Sequence, residues 1–377
     1  MQRYDRIMTK APIMQIGDAV PWFVCAASNN PRFHFDSVAG HYVVLSFFGS
    51  LAGPAQSEVH QFITQTLRPH FDDAKLVFFG VVTDADSQAL ATPMVPGIRY
   101  FWDTDTSVSA LYHAMGFDAT GRVYTPYTLV LDPALRIVGR IGMHNPQEHN
   151  QALARLLQHL PPIDAHAMTP LHAPVLIVPR VFEPSFCRAL IEYYQKQGGV
   201  DSGFMREKDG KTIAVSDHKF KRRNDCEIED AAIRQHAKNC LIRRLFPEIT
   251  KAFQFTPTVI ERYIVACYDA QSKGFFRPHR DNTTKATLHR KFAVTMNLNA
   301  EEFEGGELRF PEFGSRTYRA PSGGAVVFSC SLLHEALPVT RGERYAFLPF
   351  LYDMAGAKLR EENLHFLDTS PAQPPEA

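Results

Sequence analysis

His279 and Asp281 stand two residues apart in Phe276-Arg277-Pro278-His279-Arg280-Asp281-Asn282, and His334 follows far downstream. Two imidazoles and one carboxylate are hard-to-borderline donors of the kind that hold a non-haem iron. On an octahedral ion they would leave three positions free, two for a chelating 2-oxo acid and one for oxygen. Arg344 comes ten residues after His334. Its planar, permanently charged fork suits a carboxylate held by two parallel hydrogen bonds.

These side chains can meet only if strands present them. On a strand, residues i and i+2 share a face, so His279 and Asp281 point the same way while Arg280 between them points away. Glu335 alternates away from His334 for the same reason. His334 must arrive on a distant strand that folds back alongside, and a hairpin return would bring Arg344 to the same cavity. Alone, His-x-Asp is weak in a chain with 16 histidines. Arg344 could equally form a surface ion pair. The run Tyr345-Ala346-Phe347-Leu348-Pro349-Phe350-Leu351 after it reads as a buried strand, however, and a buried arginine needs an anionic partner.

The chain has 377 residues, enough for two domains with separate cores. Lys and Arg balance Asp and Glu at 40 each, so no net field favours nucleic acid or an anionic membrane. Six cysteines (25, 187, 226, 240, 267 and 330) are scattered with no CxxC pair, the pattern of reduced, buried thiols. Residues 1–15 lack an apolar core of signal-peptide length and no later run could span a bilayer, so the sequence predicts a soluble cytoplasmic protein.

Up to Leu160, apolar runs alternate with helical patterns. Strands are expected over Tyr42–Phe48, Lys75–Val82, Thr128–Leu131 and Arg136–Ile141, and a helix capped by Asn145 with Pro146 in its first turn. A proline-rich, aperiodic stretch follows. Beyond it come a helix through Phe186, Leu190 and Tyr194 that ends at Gly198-Gly199, and another from Asp230 to about Leu245. After Thr256, short strands punctuated by Gly and Pro suggest an antiparallel sandwich or barrel. The basic run His218-Lys219-Phe220-Lys221-Arg222-Arg223 reads as a solvated loop, with an anionic substrate or partner as the alternative. Arg277 and Arg280 could line an entrance.

From Arg262 to Tyr352 the sequence carries five motifs in order: Tyr268 with Gly274–Asp281, Phe292–Asn299, Phe303-Glu304-Gly305-Gly306-Glu307-Leu308, Pro321–Phe328, and His334 with Arg344. This set resembles the prolyl-4-hydroxylase-like branch of Fe(II)/2-oxoglutarate dioxygenases. The resemblance implies a double-stranded β-helix (jelly roll), with His279, Asp281 and His334 as metal ligands. It implies Arg344 on 2-oxoglutarate and Tyr268 adding a hydrogen bond, although a tyrosine there could equally be core. Many members have lysine at the place of Arg344, which keeps the charge. Halogenating relatives replace the carboxylate ligand by a small residue, so Asp281 implies hydroxylation or desaturation. The co-substrates implied are 2-oxoglutarate and O2, with ascorbate as a further candidate.

The first part resembles the thioredoxin/peroxiredoxin superfamily through Gly17-Asp18-Ala19-Val20-Pro21, the Tyr42–Phe48 strand and the turn Phe48-Gly49-Ser50-Leu51-Ala52-Gly53-Pro54-Ala55. Pro126 sits where that family has its cis-proline. In the family, cysteines flank Gly-Pro at a helix N-terminus, where the dipole and turn amides stabilise a thiolate. Ala52 and Ala55 occupy those places here, so this degenerate site cannot reduce a disulfide or peroxide. Cys25, well before the turn, reads as a buried thiol.

The expected organisation is a redox-inactive thioredoxin-like α/β domain at 1–160, a linker at 161–178, a dioxygenase jelly roll with flanking helices at 179–366 and a disordered tail at 367–377. The expected activity is hydroxylation of an unactivated C–H bond, prolyl in a protein or peptide, with succinate and CO2 released. The alternatives are a hydroxylase of free amino acids or natural products, and a non-catalytic sensor or binding protein. No nucleic-acid or membrane partner is expected; the first domain could dock a partner or the catalytic domain.

Overall fold

A computed structural model describes residues 14–118 and 121–370. The chain divides into two compact units, the first running to Leu171 and also containing Pro311–Gly314, the second containing His172–Phe310 and continuing from Ser315.

The first unit is a seven-stranded sheet in the order Asn30–His34, Val24–Ala27, Ile98–Trp102, Leu76–Val82, Tyr42–Gly49, Tyr127–Leu131, Ile137–Gly142. The Tyr42, Leu76 and Ile98 strands run parallel; the remaining pairs are antiparallel. Every residue of Tyr42–Gly49 and Leu76–Val82 is buried, as expected of central strands covered on both faces. Val59, Ile63 and Leu153 pack against Val44, Phe48 and Val130. The helix bearing Leu153 spans Pro146–Gln158, and its cap Asn145 accepts from the Gln147 and Glu148 amides. This is a thioredoxin-like α/β fold. Among its described residues the cis X–Pro bond precedes Pro96, not Pro126.

The second unit is a jelly roll of antiparallel strands. Its larger sheet places Leu176–Val178, Ala325–Ser329, Phe292–Asn297, Glu343–Phe347, Ile264–Asp269, Asn224–Glu227 and Val200–Asp201 side by side. The smaller sheet runs Lys221–Arg222, Phe275–His279, His334–Ala336, Leu308–Arg309, Thr317–Tyr318. Helices cover the larger sheet, with Leu190, Leu241 and Ile249 packed among Val265, Val294 and Phe347. The helix capped by Asp230 runs on past Leu245, through a wider turn at Leu241–Leu245, into Phe246–Phe253. Pro247, which has no N–H to offer the preceding turn, follows directly after that wider turn.

Two boundaries differ from the sequence expectation. The stretch 161–178 is not all linker: Leu176–Val178 pairs with Ala325–Val327, because its apolar residues complete the edge of the larger sheet. Residues Leu367–Ser370 are also tied down, the Asp368 amide donating to Thr212 and the Ser370 amide to Asp368 Oδ1 (2.9 Å each). The rest of the expected tail, from residue 371, lies outside the described residues.

Candidate metal and carboxylate site

His279 and His334 face each other across neighbouring strands of the smaller sheet, paired directly in register with Phe276 opposite Ala336. An irregularity between Phe276 and His279 interrupts the ladder there. The Nδ1 of His279 lies 2.7 Å from the Arg277 carbonyl, and that of His334 3.0 Å from the Leu332 carbonyl. Donation to those carbonyls puts the proton on Nδ1 and leaves each Nε2 as a free donor atom. Asp281 is pinned by its amide on the Cys330 carbonyl (2.9 Å). Its oxygens lie 3.7 Å from His279 Nε2 and 3.4 Å from His334 Nε2. Metal–ligand bonds of about 2.1 Å set facial ligands about 3 Å apart, so a small inward adjustment closes this triad on an ion. Burial, and then the neighbouring His334 imidazole, hold the His279 pKa well below the usual histidine range, which keeps it neutral and able to coordinate.

Phe276 stacks on His279 at 3.5 Å between centroids, and Phe328 lies 4.5 Å from His334. One side of the triad is therefore walled by apolar rings.

Arg344 stands directly opposite Tyr268 across the larger sheet. It is only 2% exposed. Its Nε donates to Asn297 Oδ1 (3.2 Å), its guanidinium carbon lies 4.9 Å from the Tyr268 ring centroid, and its Nη1 is buried with no partner. A buried guanidinium N–H without an acceptor is costly, and an incoming carboxylate would satisfy it. Burial lowers the Arg344 pKa, though not enough to threaten the charge of a guanidinium.

The glycine pair beside it is required by space. Gly305 and Gly306 have φ of +74° and +70°. A Cβ on Gly306 would come within 2.9 Å of Arg344 Cδ, and one on Gly305 within 2.2 Å of the Pro338 carbonyl. Only glycine gives both the left-handed backbone and the close approach.

The basic run is a solvated turn at His218 and Lys219 but not beyond them. Lys221–Arg222 pairs with Phe275–Phe276, so alternation turns Lys221 and Arg223 inward, at 4% and 7% exposure. Lys221 Nζ donates to Ser202 Oγ and the Gly203 carbonyl and sits 5.0 Å from the Phe276 ring centre. Arg223 grips Asp225 through two bonds of 2.7 and 2.6 Å, and its Nη1 lies 3.4 Å from the Tyr268 hydroxyl. Burial works against the Asp225 carboxylate, but Arg223 overrides it and holds the pKa well below the usual range. Sequence reasoning missed the inward aim of these two residues. Its legible signal was the i, i+2 spacing of Lys221 and Arg223, which on a strand is one face. Asn297, which orients Arg344, was also missed; nothing local marks it.

Other expected residues lie where alternation sends them. Arg280 donates to the Ser331 carbonyl, and Glu335 takes Arg309 Nε at 2.6 Å. Arg277 Nε donates to the Lys219 carbonyl (2.6 Å).

In the first unit, Ala52 and Ala55 lie at the start of helix Pro54–Gln61, whose N-cap is Gly53. Two amides at the turn are taken up by serine hydroxyls: Leu51 N–H donates to Ser87 Oγ (2.7 Å) and Ala52 N–H to Ser50 Oγ (3.3 Å). Cys25 lies on the Val24–Ala27 strand; burial, then Asp103, push its thiol up to about 12.

Residues 263–352 match the 2OG-Fe(II) oxygenase superfamily. A PKHD-type hydroxylase of Shewanella frigidimarina (strain NCIMB 400) is 30% identical over 160 residues, covering 40% of this chain and 69% of that protein. One from Synechococcus sp. (strain JA-2-3B'a(2-13)) is 30% identical over 151 residues, covering 36% of this chain. The chain spans 66% of that relative's length, just short of two thirds. Among solved structures, a Pseudomonas putida prolyl-4-hydroxylase aligns at TM-score 0.37 and 19% identity, covering 50% of this chain and 96% of that one. Xanthomonas campestris peroxiredoxin Q aligns at TM-score 0.31 and 19% identity, covering 36% of this chain and 90% of that one.

Proposed function

The chain belongs to the 2OG-Fe(II) oxygenase superfamily, and from that premise we propose that it hydroxylates an unactivated C–H bond at the His279–Asp281–His334 centre. The observation that carries this is the convergence of three ligand atoms within 4.8 Å of one another, in the same unit as the buried Arg344 Nη1 that lacks a partner.

Each residue has a defined task. His279 Nε2, His334 Nε2 and an Asp281 oxygen hold Fe(II), with both imidazoles oriented by their carbonyl bonds. Arg344 grips the distal carboxylate of 2-oxoglutarate, Asn297 sets its angle, and Tyr268 offers a hydroxyl to the same carboxylate. When bound, the iron supplies activation of O2 coupled to oxidative decarboxylation of 2-oxoglutarate to succinate and CO2, and the oxidising power for the C–H bond. Phe276 and Phe328 keep water from the imidazoles. Ascorbate is assigned as the reductant that keeps the iron ferrous.

The substrate we assign is a prolyl residue in a peptide or protein. Phe204, Phe220 and Phe276 form a chain of ring contacts (4.6 and 5.8 Å) leading to His279, a wall suited to a pyrrolidine ring. Arg206, over both Phe204 and Phe220, adds a cation for an acidic flank. No helix among the described residues is long and apolar enough to cross a membrane. The six free cysteines support a reducing, cytoplasmic location. The first unit we assign as a redox-inactive docking module.

Incubation with proline-containing peptides, 2-oxoglutarate and Fe(II), read by mass spectrometry, tests the substrate. Gain of one oxygen atom on a prolyl residue supports the proposal. Gain only on free amino acids replaces it with the small-molecule reading.

A further inference from the structure

A second set of metal donors lies among the helices of the C-terminal unit. Glu183 is the N-cap residue of helix Pro184–Gln197, and His236 and Cys240 are one helical turn apart on Ala231–Cys240. Positions i and i+4 share a helix face, so the imidazole and thiol point together, and here they point at Glu183. Glu183 Oε2 lies 3.5 Å from His236 Nε2 and 3.8 Å from Cys240 Sγ. All three donor atoms fall within 4.8 Å of one another. A tetrahedral ion with bonds of about 2.0–2.3 Å needs its donors roughly 3.3–3.7 Å apart.

The surroundings are those of a supported ligand set. Arg244, one further turn along the same stripe, bonds the other carboxylate oxygen, Oε1, and anchors its Nη1 on the Val181 carbonyl at 2.9 Å. It thus orients Glu183 without occupying the space the three donors share, as outer-shell groups do for ligating carboxylates. Phe186 packs on the His236 ring at 4.3 Å and fixes its plane. Cys240 is buried and free of any disulfide.

We propose that Glu183, His236 and Cys240 bind a divalent ion of the zinc class, with water in the fourth position, distinct from the iron triad. Sulfur, imidazole and a single carboxylate select zinc or a similar borderline transition ion over magnesium or calcium. As the Cys240 S–M bond forms, the thiol proton leaves for solvent; thiolate, carboxylate and dication then sum to zero. In this unit the ion ties the start of one helix to the stretch of another just before its wider turn.

Cobalt(II) added to the metal-stripped full chain tests this. A sulfur-to-cobalt charge-transfer band is expected, because His279, Asp281 and His334 contain no sulfur and cannot give one. Cys240→Ala should abolish the band, His236→Gln should abolish or strongly weaken it, and Arg244→Gln should weaken cobalt binding about 10- to 100-fold. No charge-transfer band at saturating cobalt overturns the proposal. So does a band that survives Cys240→Ala, or one left at full strength by His236→Gln, whose half-exposed position keeps that variant folded.

Discussion

Two sites in one chain, built on different folds, have opposite polar accounts. At the turn of the thioredoxin-like unit the reactive positions are Ala52 and Ala55, and the amides of Leu51 and Ala52 are satisfied by Ser87 and Ser50. In the jelly roll the donors converge, two imidazole nitrogens are left free by their carbonyl bonds, and Arg344 buries an N–H with no acceptor. The turn offers no ionisable side chain and gives two of its amides to serine hydroxyls, whereas the jelly roll brings three ligand atoms together and leaves one guanidinium N–H without a protein acceptor. Buried polar groups are nearly always paired, and the unpaired Arg344 N–H is the feature on which the assignment of the 2-oxoglutarate carboxylate rests.

The contrast breaks most visibly at the triad. His279→Ala removes a ligand, and succinate formation should fall to the level without enzyme while circular dichroism of the full chain stays unchanged. Next comes Arg344→Ala, which deletes the fork assigned to 2-oxoglutarate. It should cost about 2–3 kcal/mol of co-substrate binding, roughly 30- to 150-fold in Kd, with iron binding retained. Arg344→Lys should recover part of that loss, since charge returns without the bidentate geometry.

On the thioredoxin-like side the expected result is silence. The full chain should show no thiol-dependent peroxide or disulfide reduction. Cys25, pushed up to about 12 by burial and by Asp103, stays protonated through the physiological range, so its alkylation should be slow at pH 8 and accelerate only in strongly alkaline solution. Fast alkylation near neutrality would reopen a redox role for that unit. The smallest effect belongs to Ser87→Ala. It strips the Leu51 amide of its acceptor and should lower stability of the first unit by about 1–3 kcal/mol in thermal unfolding, with succinate formation untouched.

How far the sequence discloses this molecule depends on whether the information is local. Asn145 and Asp230 announce helix starts because a cap acts on amides two and three residues away. The i, i+2 spacing of His279 and Asp281 places them on one face, and the two glycines before Glu307 mark a turn that tolerates nothing larger. The inward aim of Lys221 and Arg223 depends on pairing with Phe275–Phe276, more than fifty residues away. The same is true of Asn297 behind Arg344, of the Leu176–Val178 edge strand and of the Glu183–His236–Cys240 cluster. In each case the meaning of the residues came from a partner distant in sequence, and for Asn297 no local pattern existed at all.

The central claim is tested most directly by anaerobic titration of the full chain with Fe(II) and 2-oxoglutarate, followed by admission of O2 and measurement of succinate. The expected result is stoichiometric binding of both, 2-oxoglutarate binding that weakens in Arg344→Ala, and succinate produced by the wild type but not by His279→Ala. Failure to bind either ligand, or undiminished turnover in His279→Ala, would contradict it.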